Sequence, residues 1–427
     1  MSCSNSQPLP RLAEADVLVA GGGIAGIMAA LAAARHGRSV TLLEAGYSVG
    51  GIAANGPLEA LMTFHDESGQ TVHGIPAEFV DRMIAANASP GHQNDTVGYC
   101  RTVTPYDAEG LKYVAAAMLQ EAGIQTFLNT LVVGANVSNG ILTEVATESV
   151  SGRKAVAAKA FVDCTGDGAL ALAAGAEVWR GREQDGKTQP VTLLVRVGGV
   201  NIPALRQYVK DNAGDFMFAP GADLDARYLH LWGFGRALEE GYAKNALSLR
   251  RKEIHAMLTP AEGEIILNYS RVPANPYDVG EMSRAQFTAL RQVHELVDWF
   301  RQSIPAFAEC RIVQTGRVGI RESGRIKGCY VLTEDDIVNS REFTDTVAHG
   351  SFPVDIHQPD GDSMVYRRIT KAYSIPAGAL HSADVSNLFM AGRCISATHE
   401  AIASARIAVT CMATGEAAGR LAAEWKI

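Results

Sequence analysis

The sequence predicts an α/β fold: a doubly wound sheet assembled from the two ends of the chain, with a mixed α/β region inserted between them. Three observations carry that expectation. A short apolar run, Val17-Leu18-Val19-Ala20, ends in three glycines and is followed at once by strong helix formers. A second strand-like run ends in the glycine turn Asp163-Cys164-Thr165-Gly166-Asp167-Gly168. A third, Asn387-Leu388-Phe389-Met390-Ala391, ends in Gly392-Arg393 and leads into a terminal stretch rich in small residues.

From the N-terminus, Val17 to Ala20 reads as a buried strand and Ile24 to Arg35 as a helix that Gly37 stops. Ser39 to Leu43 is a second buried strand, so the unit is expected to be parallel and right-handed. Pro76 to Ala86 reads as a helix with Phe79, Val80, Met83 and Ile84 on its inner face. Asp107 fits an N-cap for a helix carrying Leu111, Val114, Ala115, Met118 and Leu119 before Gly123 closes it. Ile124 to Leu128 continues as a strand. Leu131 to Val137 and Ile141 to Val150 flank Asn139-Gly140, a hairpin signal, and Ala155 to Asp163 returns as a third strand. Beyond residue 180 the pattern is less regular. A long helix capped by Ser283 and running through Leu290, Val293, Leu296, Val297 and Phe300 stands out there, and Thr410 to Trp425 forms a terminal helix.

At 427 residues the chain is long enough for two domains. A net charge of −8 offers no footing for nucleic acid or an anionic membrane, so neither is expected as a partner. The seven cysteines (Cys3, Cys100, Cys164, Cys310, Cys329, Cys394, Cys411) form no Cys-x-x-Cys pair, which removes the usual zinc and iron–sulfur spacings. Most of them fit buried thiols in a reducing compartment. The opening MSCSNSQPLPRLAEAD lacks the charged-then-apolar order of a signal peptide, and glycines interrupt the longest apolar stretch, Val17 to Ala34. A cytoplasmic location is expected; a homo-oligomer is left open.

Gly21-Gly22-Gly23-Ile24-Ala25-Gly26 fits G-x-G-x-x-G between a strand and a helix. Gly21 permits the tight turn, Gly23 lets the backbone approach a pyrophosphate, and Gly26 lets the helix pack on the strand. Ile24 and Ala25 open the helix, whose free N–H groups and positive dipole favour phosphate. Glu44, at the end of the next strand, is placed to accept hydrogen bonds from a ribose diol. This context points to dinucleotide binding rather than to a bare turn, with FAD and NAD both open. The second and third glycine turns favour the longer cofactor, because each offers another close approach of backbone to ligand.

At these residues the chain resembles the bacterial FAD-dependent oxidoreductases of the glutathione-reductase-like flavoprotein group. The matching segments, in order, are the glycine turn with Glu44, Gly50-Gly51, Thr104-Pro105-Tyr106-Asp107, the turn from Asp163 to Gly168, and Arg321-Glu322-Ser323. Tyr330 to Asp336, Ala391 to Glu400 and Thr410 to Gly415 complete them. The resemblance implies a Rossmann-like FAD-binding domain with non-covalent FAD. It also implies Gly21, Gly23 and Gly26 at the pyrophosphate, Glu44 at the adenosine ribose, and Gly50-Gly51 passing the flavin. Gly166-Asp167 would lie beside the cofactor, Gly392-Arg393 along its ribityl and pyrophosphate region, and the final helix would aim N–H groups at the flavin N1–O2 edge. Arg393 stands where the wider group usually has Asp; an arginine pairs with phosphate but cannot accept a ribityl hydroxyl.

Four places offer groups for the substrate side. Phe64-His65-Asp66, with His73 nearby, offers His65 as a base with an acidic orienter, against a plain loop. His349, Asp355 and His357 match no metal-ligand spacing, so no metal is expected, and Pro353 argues for an extended loop carrying His357. Arg321 beside Glu322 suits an anionic group, or an internal ion pair bracing two domains. Thr398-His399-Glu400 with Arg406 precedes the terminal helix, which makes His399 the first choice for acid or base; its rival role is to order the loop through Glu400. Cys394 and Cys411 lack the paired spacing of a disulfide reductase.

The expectation is therefore an FAD-binding domain from residues 1–180 and 380–427 and a substrate domain from 181–379. The function expected is exchange of a hydride between flavin N5 and a small organic substrate. The alternatives are a redox-neutral elimination or isomerisation, and a non-catalytic flavin-binding subunit or redox sensor. Only one complete nucleotide-binding unit is visible, which argues against a separate NAD(P) domain and leaves the electron acceptor open.

Overall fold

The first strand of the fold starts earlier than its apolar core suggests, at Arg11, and runs to Ala20. Its opening half alternates exposed Glu14 with buried Ala13 and Ala15, the period-two signature of a half-buried strand. The structure is a computed structural model that describes residues 8–58, 60–359 and 363–426; Cys3 and the first seven residues lie outside these.

Among the described residues the main sheet has seven strands. In spatial order they are Gln125–Phe127, Val40–Leu43, Arg11–Ala20, Lys154–Asp163, Ile141–Glu148 and Leu131–Ser138, with Leu388–Met390 also paired to Lys154–Asp163. The parallel strands Val40–Leu43 and Arg11–Ala20 pair Leu18 with Thr41, and the first helix, Ile24–Arg35, crosses between them. The hairpin at Asn139-Gly140 forms as expected, both residues lying at positive φ (51° and 74°).

The edge of Lys154–Asp163 is divided. Its first half pairs antiparallel with the hairpin, Glu144 opposite Ala157. Its last three residues pair in parallel with the late strand, Phe161 opposite Leu388 and Asp163 opposite Met390. This sharing brings the third glycine turn beside the second. The terminal helix, Ala408–Glu424, then packs on the first helix at small residues: a Cβ added to Gly415 or Gly419 would strike the carbonyls of Ala25 and Ala29. Such close approach needs no side chain on one of the helices.

Residues 191–318 contain a second core around a five-stranded antiparallel sheet, with Val195, Leu231, Ala256 and Leu267 buried beneath the helix Val279–Ser303. That helix begins earlier than Ser283. Asp278 is the cap, accepting from the Glu281 N–H, and Ser283 Oγ instead donates to the Val279 carbonyl. The stretch carrying His349 and His357 is likewise not a plain loop. Thr346–Gly350 and Val354–His357 are strands in separate two-stranded ladders, and Pro353 lies between them. Among the described residues no helix is long and apolar enough to cross a membrane.

Candidate cofactor cleft and catalytic chamber

Each glycine of the first turn is required for a different reason. Gly21 sits at φ +98°, and a Cβ there would run into the Cys164 backbone. A Cβ on Gly26 would strike the Gly21 carbonyl, so the helix could not close on the strand. Gly23 is different: its missing side chain faces open space, the nearest atom being Gly51 Cα at 4.0 Å. Gly23 also caps the first helix without any side-chain bond, leaving the first-turn N–H groups at Ile24 and Ala25 uncapped by side chains. Gly50 closes the cradle, its N–H bonded to the Gly22 carbonyl at 2.7 Å. Glu44 is half-buried beside it and accepts from Gly22 N (2.7 Å) and Gly46 N (2.6 Å), which fixes the carboxylate against the turn with lone pairs to spare.

Arg393 and Asp167, from the third and second turns, meet. Arg393 Nη2 lies 3.1 Å from Asp167 Oδ1, and Nη1 donates to Ser323 Oγ at 3.0 Å. Ser323 Oγ in turn donates to the Gly166 carbonyl at 2.8 Å. The arginine thus has a carboxylate partner within the protein. Asp163, fully buried, stiffens the second turn by accepting from Thr165 N–H and Oγ1 and from Ala171 N–H. An open glycine face, an uncapped helix terminus and an acidic group one strand away form a donor and acceptor set that fits a dinucleotide.

Segment 321–325 runs from these turns into the interior. Ser323 touches Gly166 and Arg393, whereas its neighbour Glu322 is fully buried and pairs with Arg325. Glu322 also receives His399 Nδ1, 2.8 Å from Oε2. His399 starts a short helix, His399–Ala405, whose cap is Thr398 Oγ1, so the ring is set by local backbone as well as by its carboxylate. The partner of His399 is therefore Glu322 and not the adjacent Glu400. A carboxylate only accepts, so Nδ1 carries the proton, and no hydrogen bond engages Nε2 among the described residues. This is the geometry of a base with its orienter.

A second buried group lies beside it. His357 Nδ1 is 2.7 Å from Arg271 Nη2, and Nε2 is 3.1 Å from Asp355 Oδ2. The guanidinium can only donate, so the ring is neutral, with its proton on Nε2 and directed at Asp355. Burial, reinforced by the nearby Arg321 charge, lowers the His357 pKa to about 3. Burial pushes the Asp355 carboxyl up, but His357, Arg406 and Arg321 outweigh it and hold it ionised, below the usual carboxylate range. Arg406 lies 4.0 Å from Asp355 Oδ2. Arg321 donates to the Pro190 carbonyl at 2.6 Å, and burial, with Arg271 and Arg406 close by, pulls its pKa well below the ordinary arginine value.

A family model described as FAD dependent oxidoreductase matches residues 16–425. The chain belongs to this family. It is accordingly an FAD-dependent enzyme of the oxidoreductase class. No curated protein matches it significantly. Solved structures to which it is similar include a geranylgeranyl bacteriochlorophyll reductase-like protein from Thermoplasma acidophilum, with 15% identity, 96% of this chain and 80% of that one covered, and a TM-score of 0.46. L-proline dehydrogenase from P. horikoshii is 12% identical over 97% of this chain and 93% of its own, with a TM-score of 0.46. CabE, an aromatic hydroxylase from angucycline biosynthesis, is 11% identical with a TM-score of 0.44 over 89% of this chain. The chain spans 56% of the length of that hydroxylase.

Within this FAD-dependent oxidoreductase, His399, Arg321, His357 and Arg406 gather around Glu322 and Asp355, whereas His65 does not join them. His65 Nδ1 bonds Thr102 Oγ1 at 3.1 Å, and its neighbour Asp66 turns away to cap Ser68 and Gly69. His65 instead lines an open cavity of about 440 Å³ with Asp66, His92 and Arg101. Sequence reasoning missed a buried chain in the second core: Asp95 Oδ1 to His230 Nδ1 at 2.7 Å, then His230 Nε2 to His255 Nδ1 at 3.1 Å. His255 stacks on Trp232 with ring centroids 4.5 Å apart. These residues are scattered over two strands and a loop, and no local pattern in the sequence links them.

Proposed function

We propose that this enzyme exchanges a hydride between flavin N5 and a small organic substrate held near His399, Arg321 and Arg406. The observation that supports this reading is segment 321–325, whose side chains reach from the Gly166-Asp167 turn to the buried imidazole of His399. In this reading Gly21, Gly23, Ile24, Ala25 and Gly26 take the pyrophosphate, and Glu44 takes the adenosine ribose. Gly50 and Gly51 pass the flavin, while Gly166, Asp167, Gly392 and Arg393 line the ribityl and pyrophosphate stretch. The binding is non-covalent, after the glutathione-reductase-like group. Bound FAD supplies the two-electron acceptor or donor.

The chain's own residues handle the proton and the orientation. His399 Nε2 takes the substrate proton, or returns it in the reverse direction, while Glu322 fixes the tautomer and stabilises the imidazolium. His357, already engaged by Arg271 and Asp355, holds those two charges in register. His65 has no part in proton transfer. The division into residues 1–180 with 380–427 and 181–379 belongs to the same proposal, with the reaction at the junction.

Anaerobic mixing of the yellow protein with candidate substrates tests the reading. Bleaching of the flavin absorbance by a substrate is expected. Turnover that leaves the flavin oxidised throughout would instead favour a redox-neutral reaction.

A further inference from the structure

Around Asp355 several buried hydrogen-bonding groups lack partners among the described residues: Arg406 Nε and Gln189 Nε2 among the donors, and Asp355 Oδ1 among the acceptors. Arg406 is mostly buried, its side chain 11% exposed, yet Nη2 makes one long bond, 3.4 Å to the Asp355 carbonyl, and the buried Nε makes none. Arg321, 7% exposed, has the Pro190 carbonyl as its one hydrogen-bond partner among the described residues. Gln189, fully buried, accepts from the His357 N–H through Oε1 at 3.2 Å and leaves its Nε2 unpaired. Gln189 and Pro190 are consecutive, so the amide and the Arg321 guanidinium belong to one wall. A buried donor without an acceptor is costly, and a buried cation without a partner costs more.

The charges agree with the donors. Arg321 and Arg406 both act on the Asp355 charge, and Arg406 also feels Glu322, whose carboxylate is already engaged by Arg325 and His399. His357 is neutral and supplies no anion. Arg271, Arg406 and Arg251 all add to the positive field at Arg321, Arg271 most strongly. One added negative charge relieves part of that excess, whereas a second on the same ligand would be set against Asp355, which lies 4.0 Å from Arg406.

We propose that Arg321, Arg406 and Gln189 form the binding site for the carboxylate of an organic monoanion, which makes the substrate of this enzyme a carboxylic acid. The inference rests on the reading of the chamber as the substrate site. A planar carboxylate matches the guanidinium fork, and the Gln189 amide fills a remaining lone pair. Fixing the acid group there leaves the rest of the substrate to lie toward His399.

The test is a titration of the FAD-loaded protein with acetate, propanoate and benzoate, each against its amide, at constant ionic strength. Flavin difference spectra and melting temperature are read together. The carboxylates are expected to raise the melting temperature saturably and the amides to leave it unchanged. Arg321→Met and Arg406→Met should weaken carboxylate binding by at least about tenfold. Arg321→Met should also melt higher than the parent in the absence of carboxylate, since a buried cation whose one hydrogen-bond partner among the described residues is a carbonyl has been removed. Where a methionine variant does not accumulate, Arg321→Lys and Arg406→Lys serve, with a smaller loss expected because the charge stays and the fork is lost. Equal effects of acids and amides, no effect of either, or unchanged affinity in the variants would overturn the proposal. A protein that is yellow and bleached by a neutral substrate but blind to carboxylates would sink this inference alone. A saturable carboxylate shift in protein whose flavin no substrate bleaches would sink the hydride reading and keep the site.

Discussion

Glu322 receives the Nδ1–H of His399 on both carboxylate oxygens, at 2.8 and 3.0 Å, across 77 residues of chain. The same carboxylate holds Arg325, so the imidazole leans on an ion pair that is itself buried. With Nδ1 committed, Nε2 is the nitrogen left for chemistry.

Replacing that nitrogen should separate chemistry from cofactor binding. His399→Gln is expected to lower turnover by about 10²–10⁴-fold while the visible spectrum still shows bound flavin. Full activity would remove His399 from proton transfer. Loss of colour would make it a structural residue of the cofactor cleft.

Glu44 ties down Gly22 and Gly46 through its two carboxylate oxygens. Glu44→Arg should raise the dissociation constant for FAD at least about tenfold, measured by fluorescence titration of FAD into deflavinated protein. Unchanged affinity would take Glu44 out of the site.

Glycine positions can be ranked by what a methyl group would meet. Gly26→Ala and Gly415→Ala drive a Cβ into the carbonyls of Gly21 and Ala25, and each should destabilise the fold by about 1–3 kcal/mol in denaturant melts. Gly214, with nothing within 4 Å and no positive φ, is the control, and its alanine variant should stay within about 0.5 kcal/mol of the parent. Equal losses at all three positions would contradict the close contact of the first and terminal helices.

Stability should fall on mild acidification. His357 titrates at about 3 in the folded protein against 6.5 when unfolded, so between these values the unfolded chain binds a proton that the folded one does not. Its contribution is complete above the unfolded value and declines as the pH drops toward the folded one. His255, lowered well below 6.5 by burial and by His230, acts in the same direction. The melting temperature is expected to decrease from about pH 7 to about pH 5, with a shallower slope in His357→Gln, whose amide can still accept from Arg271 and donate to Asp355. A slope unchanged by the substitution would show that His357 is not held neutral.

The nucleotide-binding unit was legible because local sequence dictates it. Helix formers from Ile24 to Arg35 produced a helix with those same bounds, and Asp107 capped its helix as its side chain predicts. Ser283 misled because a hydroxyl inside a helix can bond the carbonyl four residues back as readily as it caps an end. The second core was hard to read because its strands are short and buried, and their pairing orders, such as Val195 against Leu267, leave no local mark.

By itself the sequence determined the parts: three glycine turns, the strand and helix leading from the first, and the residue types able to grip a dinucleotide and move a proton. Those follow from backbone freedom, side-chain chemistry and periodicity, which act over a few residues. The tertiary structure decided the partnerships: Glu322 rather than Glu400 for His399, Asp167 for Arg393, and Asp355 for His357 and Arg406. For Asp167 and Arg393 the reason is that the edge of Lys154–Asp163 is split between a hairpin and the strand Leu388–Met390. A buried charge takes whichever counter-charge that pairing carries to it, and sequence distance has no part in the choice.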